Sequence, residues 1–425
     1  MGVLYILPQA WINSFNLLDI AETILAPSNN GSLMQVVESS YTDVARFRPV
    51  YTISRFLLNS ILSSANQYFF VYGLILGITL YITTVIQKQI NKVNNLVFLI
   101  LLPALLFNPV TIDTFWRLGT AENLFTLFLL LCLYSFIAKK KWFVYISFIV
   151  FIFSKETAIF FIPVFILYLY GNKKYRQLVI VLFLGVIYSL LLLPRVVTAN
   201  NARQYTALFT TNITDNIYIL IQYFREFPQI YILLIVILLI FFFNVFISKH
   251  RHNFKMRGLV IMLVFTSLFS LLFFDNIQAY YLFPYLMLSF LTLNIEFGYL
   301  KKKYVYIVVI FSLCILVMNR HLTYEKMKFW QSDYASDAIL LNYLEKNPDE
   351  TYYIDPSNRI DHIDAFEYLL KEKYKQNPKR ANIIISRDHE YIIQYGVYQD
   401  LCSKTFFESK VCRWKVFDNS LKSEN

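Results

Sequence analysis

The sequence predicts an α-helical polytopic membrane protein of about eleven transmembrane helices, with a small C-terminal α/β domain outside the membrane. Three observations predict it. Of 425 residues, 57% are hydrophobic and only 16% charged, and the mean hydropathy is +0.48, on the apolar side of soluble domains. The apolar residues are gathered into repeated runs near the roughly 20 residues that a helix needs to cross a bilayer. Lysines and arginines stand in short clusters on alternate connections between those runs, the distribution that fixes orientation in a membrane.

Residues 1–18 are apolar but interrupted by Pro8, Gln9, Asn13 and Asn16. With no basic start and no small-residue cleavage site, they read as a first span rather than a cleaved leader. A polar segment, 19–67, follows and exits through Arg46-Phe47-Arg48-Pro49-Val50. Just beyond, Ile53, Phe56, Leu57 and Ile61 share one helical face, the pattern of a helix lying along the membrane interface. Further spans are expected at 68–86, 96–110, 124–138, 142–153, 158–171, 178–193, 230–247, 259–274, 280–295 and 304–318.

The connections fix the orientation. Lys88 and Lys92, Lys139 to Lys141, Lys173, Lys174 and Arg176, Lys249, Arg251, Lys255 and Arg257, and Lys301 to Lys303 all fall on one side, assigned to the cytoplasm. That places loops 19–67, 111–123 and 194–228, the Lys155-Glu156 turn and the C-terminal region outside. Residues 1–319 then form the transmembrane domain and 320–425 a soluble one. In the latter, 335–344 and 365–374 read as helices and 351–354 and 381–385 as strands, with Phe329 and Trp330 as interface anchors. Cys132 and Cys314 lie in apolar runs; Cys402 and Cys412 could close a disulfide in an oxidising compartment or remain thiols. The net charge of +11 belongs to the connections, so no nucleic-acid partner is expected.

The informative residues are the charges that this topology does not explain. Arg46, Arg48 and Arg55 sit in the first outer loop, where cations suit an anionic ligand such as a lipid phosphate, or pair with Glu38 and Asp43 of the same loop. Asp19 ends the first span with Glu22 one turn later; a carboxylate there can serve as a general base or be a solvated helix end. Arg117 and Glu122 flank the start of another span. Lys155-Glu156 interrupts continuous apolar sequence, where charges are costly unless they pair or line a polar cavity. The five histidines do not cluster, so no metal ligand is assigned, although first-loop oxygen ligands could hold Mg or Mn. No Gly-rich phosphate loop, GxSxG elbow or CxxC pair is present.

In four places the chain resembles the GT-C superfamily of polyprenyl-phosphate-sugar-dependent glycosyltransferases, in the branch of the protein O-mannosyltransferases and tetratricopeptide-linked mannosyltransferases. They are Leu18-Asp19-Ile20-Ala21-Glu22, Arg46-Phe47-Arg48-Pro49-Val50, Gly119-Thr120-Ala121-Glu122-Asn123-Leu124 and Ser154-Lys155-Glu156-Thr157. A departure is Ala279-Tyr280-Tyr281, where the family usually has Arg before the tyrosine; Arg195 or Arg203 would then serve the phosphate, or the substrate differs. The resemblance implies inverting transfer from a polyprenyl-phosphate sugar to a glycan, lipid or protein acceptor. Asp19 would be the base, with Glu22 or Asp43 as the second acid. Arg46, Arg48 and Lys155 would stabilise the leaving phosphate, and Glu122 and Glu156 would orient them or contact sugar hydroxyls.

Two other classes fit parts of the pattern. A transporter or lipid flippase would place ionisable residues at mid-span and show inverted repeats, neither of which stands out. A polysaccharide polymerase or ligase would centre on one large late loop, and 194–228 with Arg195, Arg203 and Arg225 is such a loop.

Overall fold

The computed structural model describes residues 2–12, 48–62, 64–91, 96–138, 141–201, 213–247, 253–273, 278–299, 305–346, 352–354, 379–380, 391–398 and 412–418. In chain order, the helices are α1 (Gly2–Ile12), α2 (Pro49–Ile61), α3 (Ala65–Ile90), α4 (Leu96–Leu106), α5 (Pro109–Phe115), α6 (Glu122–Ile137), α7 (Lys141–Ile152), α8 (Ala158–Gly171) and α9 (Tyr175–Asn201). They continue as α10 (Ile213–Glu226), α11 (Gln229–Phe242) with a π-helical turn at Phe243–Ile247, α12 (Phe254–Leu271), a 3-10 turn at Ala279–Leu282, α13 (Phe283–Phe297) and α14 (Val305–Lys346). The protein is an α-helical membrane protein. Among the described residues, five helices are long and apolar enough to cross a bilayer, or six if the bent α4–α5 pair counts as one span.

The expected spans fall on helices, but several helices are short. At 1.5 Å per residue, α6, α7 and α8, with 16, 12 and 14 residues, rise only ~24, ~18 and ~21 Å, less than the ~30 Å of bilayer hydrocarbon. The α7–α8 hairpin therefore turns back early, and its turn is recessed: Ser154, Lys155, Glu156 and Thr157 are all at most 5% exposed.

The stretch expected as the outer loop 111–123 is instead buried. After α4 the chain bends by 73° into α5, whose residues are all buried. Asn108 caps the new helix by accepting from the Val110 N–H at 3.0 Å, and Pro109 sits where its missing N–H costs nothing. Threonine hydroxyls add bonds to backbone carbonyls of this stretch: Thr111 donates to Leu105 and Thr114 to Val110, both at 2.7 Å, and Thr120 donates to Thr114 at 2.8 Å. Irregular backbone is tolerated at membrane depth when its polar groups are met in this way.

α2 has the expected amphipathic pattern. Leu57 and Ile61 are exposed, and Tyr51 and Arg55 are buried. The loop expected at 194–228 is partly helical: α9 runs on through Pro194 to Asn201, and α10 follows.

α14 is 42 residues long and packs through a polar stripe. Ser312 donates to the Ile100 carbonyl and Thr323 to the Phe107 carbonyl, both at 2.7 Å, while Ile307, Ile310, Leu313 and Val317 face outward. Hydrogen-bonding side chains hold such helices where no hydrophobic drive between them exists. Trp330 corrects the sequence expectation. It is buried, with its N–H on Asp113, whereas its neighbour Phe329 is exposed. The helix expected at 335–344 is a continuation of α14.

At the end of the bundle bearing Lys88, Lys173 and Lys255, Arg257 is not a connection charge. It is fully buried and ion-paired with Glu296. Its Nε donates to Glu296 Oε1 at 2.7 Å, and Asn244 in the π-turn donates to Glu296 Oε2 at 2.9 Å.

Beyond α14 lie the short strands β1 (Tyr352–Ile354), β2 (Lys379–Arg380), β3 (Tyr391–Tyr398) and β4 (Cys412–Asp418), in the order β2-β1-β3-β4. β1 runs parallel to β2 and β3, and β4 antiparallel to β3. β1 falls on the expected strand. The expected helix 365–374, the expected strand 381–385 and Cys402 lie outside the described residues.

Candidate functional site

The site is built around the short loop between α5 and α6. Side chains from four helices hold it. Gln9 of α1 donates to the Trp116 carbonyl at 2.9 Å, and the Tyr51 hydroxyl of α2 donates to the Gly119 carbonyl at 2.6 Å. The Tyr72 hydroxyl of α3 accepts from the Gly119 N–H at 3.3 Å, and the Tyr334 hydroxyl of α14 accepts from the Leu118 N–H at 3.1 Å. Gly119 has φ of 90°, a conformation that a side chain would strain.

This loop presents Arg117 and Glu122. Glu122 opens α6, where the helix dipole favours a carboxylate. It receives Lys155 from the recessed α7–α8 turn in a buried ion pair. The Lys155 ammonium also lies 4.3 Å from the centroid of the Tyr281 ring, and the Tyr188 hydroxyl donates to its backbone carbonyl at 3.1 Å. Beside the ammonium is a cavity of about 10 Å³ lined by Thr157, Ser267, Ser270 and Tyr281, large enough for roughly one water. The buried Thr157 hydroxyl has no hydrogen-bond partner among the described residues.

Arg117 lies over two rings, with its guanidinium carbon 5.2 Å from the Tyr280 centroid and 5.8 Å from that of Trp330. Asp113 of α5 accepts from Trp330 Nε1 at 3.0 Å and from Lys326 Nζ at 3.3 Å. Tyr223 of the amphipathic α10 lies close by. Burial, reinforced by the carboxylates of Glu226 and Asp113 and by Tyr281, pushes its hydroxyl up to about 12.

The exit of the first loop joins the same site. The Val50 N–H donates to the Phe153 carbonyl at 3.0 Å, tying α2 to the α7–α8 turn. The Arg48 guanidinium lies 5.1 Å from the Tyr51 centroid, and Arg55 Nε donates to the Tyr51 hydroxyl at 3.0 Å. Around this site, among the described residues, the cations Arg48, Arg55, Arg117, Lys155 and Lys326 outnumber the carboxylates Asp113, Glu122 and Glu156. Such a balance suits an anionic ligand.

Of the residues singled out in the sequence, Arg48, Arg117, Glu122, Lys155 and Glu156 are drawn into one region. Asp19, Glu22, Asp43, Arg46 and Arg203 lie outside the described residues, and Arg195 is described only as part of the α9 backbone. Among the described residues no group of three or more His, Cys, Asp or Glu side chains is arranged to hold a metal ion. Sequence reasoning missed Asp113, Lys326 and Trp330. The one available signal was Asp113 within a short apolar stretch, and its partners lie more than 200 residues away. Compared with known proteins, the chain matches no protein-family model and no curated sequence.

Proposed function

We propose that this protein is an inverting glycosyltransferase of GT-C type. It would move a sugar from a polyprenyl-phosphate-linked donor to a hydroxyl of a glycan, lipid or protein acceptor at the outer face of the membrane. On this reading the bundle has about eleven spans, with the C-terminal region outside. The observation that carries it is convergence. The segments at Arg48-Pro49, Gly119 to Glu122, Lys155-Glu156 and Tyr280-Tyr281 are far apart in sequence, yet they are linked by the Val50–Phe153, Tyr51–Gly119, Glu122–Lys155, Arg117–Tyr280 and Lys155–Tyr281 contacts.

Asp19 takes the proton of the acceptor hydroxyl as its oxygen attacks the anomeric carbon. The bond from that carbon to the phosphate oxygen breaks, and polyprenyl phosphate leaves with one more negative charge. Cations aimed at the leaving oxygen stabilise the transition state. On this reading Lys155, which is paired with Glu122, takes this role with Arg46 and Arg48, while Glu122 and Glu156 orient the cations or meet sugar hydroxyls. An apolar groove of about 590 Å³ between α1, α2 and α3, lined by Ile6, Ile61, Phe69 and Phe70, suits a hydrocarbon chain.

The test compares wild type with Asp19→Asn in nanodiscs, using radiolabelled polyprenyl-phosphate sugars and host membrane extract. Transfer by wild type, lost by orders of magnitude in the variant, supports the assignment. Transfer that survives moves the base to Glu22 or Asp43.

A second reading, a transporter or flippase, draws on one observation. Buried ion pairs close both ends of the bundle, Glu122–Lys155 at one and Arg257–Glu296 at the other, as two gates would. Movement of a lipid-linked glycan across proteoliposomes without sugar transfer would select it.

A further inference from the structure

We propose that Trp330 is a positioning residue. Oriented by Asp113, it fixes the Arg117 guanidinium against Tyr280 as the group that grips the phosphate of the lipid ligand. This rests on the lipid-phosphate reading above.

Arg117 projects from a loop, so nothing in a regular helix sets its rotamer. The two rings do so instead. A guanidinium lying over aromatic faces is held by cation–π attraction and is weakly hydrated. A guanidinium held in one place in this way can meet a phosphate through two parallel N–H groups, a bidentate contact.

The Trp330 ring is in turn locked. Its N–H donates to Asp113, which stands four residues before Arg117 and is also paired with Lys326. Lys326, Trp330 and Tyr334 follow one another at intervals of four, on one face of α14. All three grip the segment from Asp113 to Leu118. The cation's position is thus set by a helix that crosses the membrane and continues beyond it.

A second cation stands beside the first. Tyr280 and Tyr281 meet edge to face with centroids 4.7 Å apart, Arg117 lying on one ring and Lys155 on the other. A phosphate reaching this tyrosine pair meets Arg117 as a fork and Lys155 as a point charge.

The experiment uses the full chain in nanodiscs, titrated with polyprenyl monophosphate, with uncharged polyprenol and with inorganic phosphate, read by tryptophan emission and by direct binding. Polyprenyl monophosphate is expected to change the emission and polyprenol not to; a response to inorganic phosphate locates recognition in the head group. Trp330→Phe should lose most of that emission change and weaken binding roughly tenfold. Arg117→Lys should weaken binding as much, although the charge is kept. If Trp330→Phe does not fold, Asp113→Leu removes the acceptor of the indole and should give the same loss. Wild-type affinity in a folded Trp330→Phe or Asp113→Leu overturns the positioning role while the lipid-phosphate reading stands. Failure of the folded wild type to bind polyprenyl monophosphate overturns both.

Discussion

Lys155 and Glu122 form an ion pair in which 5% and 2% of the respective side chains are exposed, joining a recessed hairpin turn to the first residue of a helix 33 positions earlier. Neither charge is tolerable alone at that depth. Leaving one member of a buried pair without the other costs roughly 3–5 kcal/mol, whereas removing both costs less. Lys155→Met and Glu122→Gln should each lower the unfolding temperature in nanodiscs more than the double variant does. Singles that sum to the double would mean that the two residues do not interact.

Gly119 is the positive-φ turn of the same loop. With φ at 90°, any side chain there adds strain of about 1–3 kcal/mol. Gly119→Ala is expected to destabilise the protein by that order and, on the glycosyltransferase reading proposed above, to reduce sugar transfer. Tyr51→Phe removes the hydroxyl that donates to Gly119 and accepts from Arg55 Nε, and should cost about 1–3 kcal/mol. Chemical denaturation of the purified variants checks both magnitudes.

At the opposite end, Arg257 and Glu296 are fully buried, and Asn244 adds a bond from the π-turn. Arg257→Met should sharply lower the yield of folded protein, and the double replacement with Glu296→Gln should recover part of it. Recovery of transport rather than of folding in the double variant would instead mark the pair as a gate.

Tyr223 gives a pH dependence with a definite sign. Its folded value, about 12, lies above the ordinary 10, so its protonated form favours the native state. Stability from this group is complete below pH 10 and is lost as pH rises toward 12. Thermal unfolding of wild type should fall more steeply over that window than that of Tyr223→Phe. Parallel curves would remove Tyr223 from the carboxylate surroundings described.

α2 should lie with Leu57 and Ile61 in lipid and Arg55 against the protein. Spin labels at Leu57→Cys and Ile61→Cys are expected to be relaxed by oxygen, the lipid-soluble agent, well above a label at Arg55→Cys. Equal relaxation at the three positions would contradict the buried face.

The membrane class was legible from composition alone, because about 20 apolar residues in a row have few other solutions. The residues of Lys155-Glu156 were legible too, since charges inside apolar sequence are costly and draw the eye. So was the amphipathic pattern of α2. Three things were decided only by tertiary structure. The stretch from Asn108 to Ala121 is polar enough to pass for a loop, and its burial depends on acceptors and donors supplied by Gln9, Tyr51, Tyr72 and Tyr334 from distant helices. Arg257 stands in sequence among topogenic charges, and only the packing of α12 against α13 brings Glu296 to it. Trp330 has the local context of an interface anchor, yet Asp113, more than 200 residues earlier, turns it inward. Local sequence sets hydropathy and helix period, properties of neighbours along the chain; a buried charge or indole is stable only with a partner, and the chain's path through space supplies that partner.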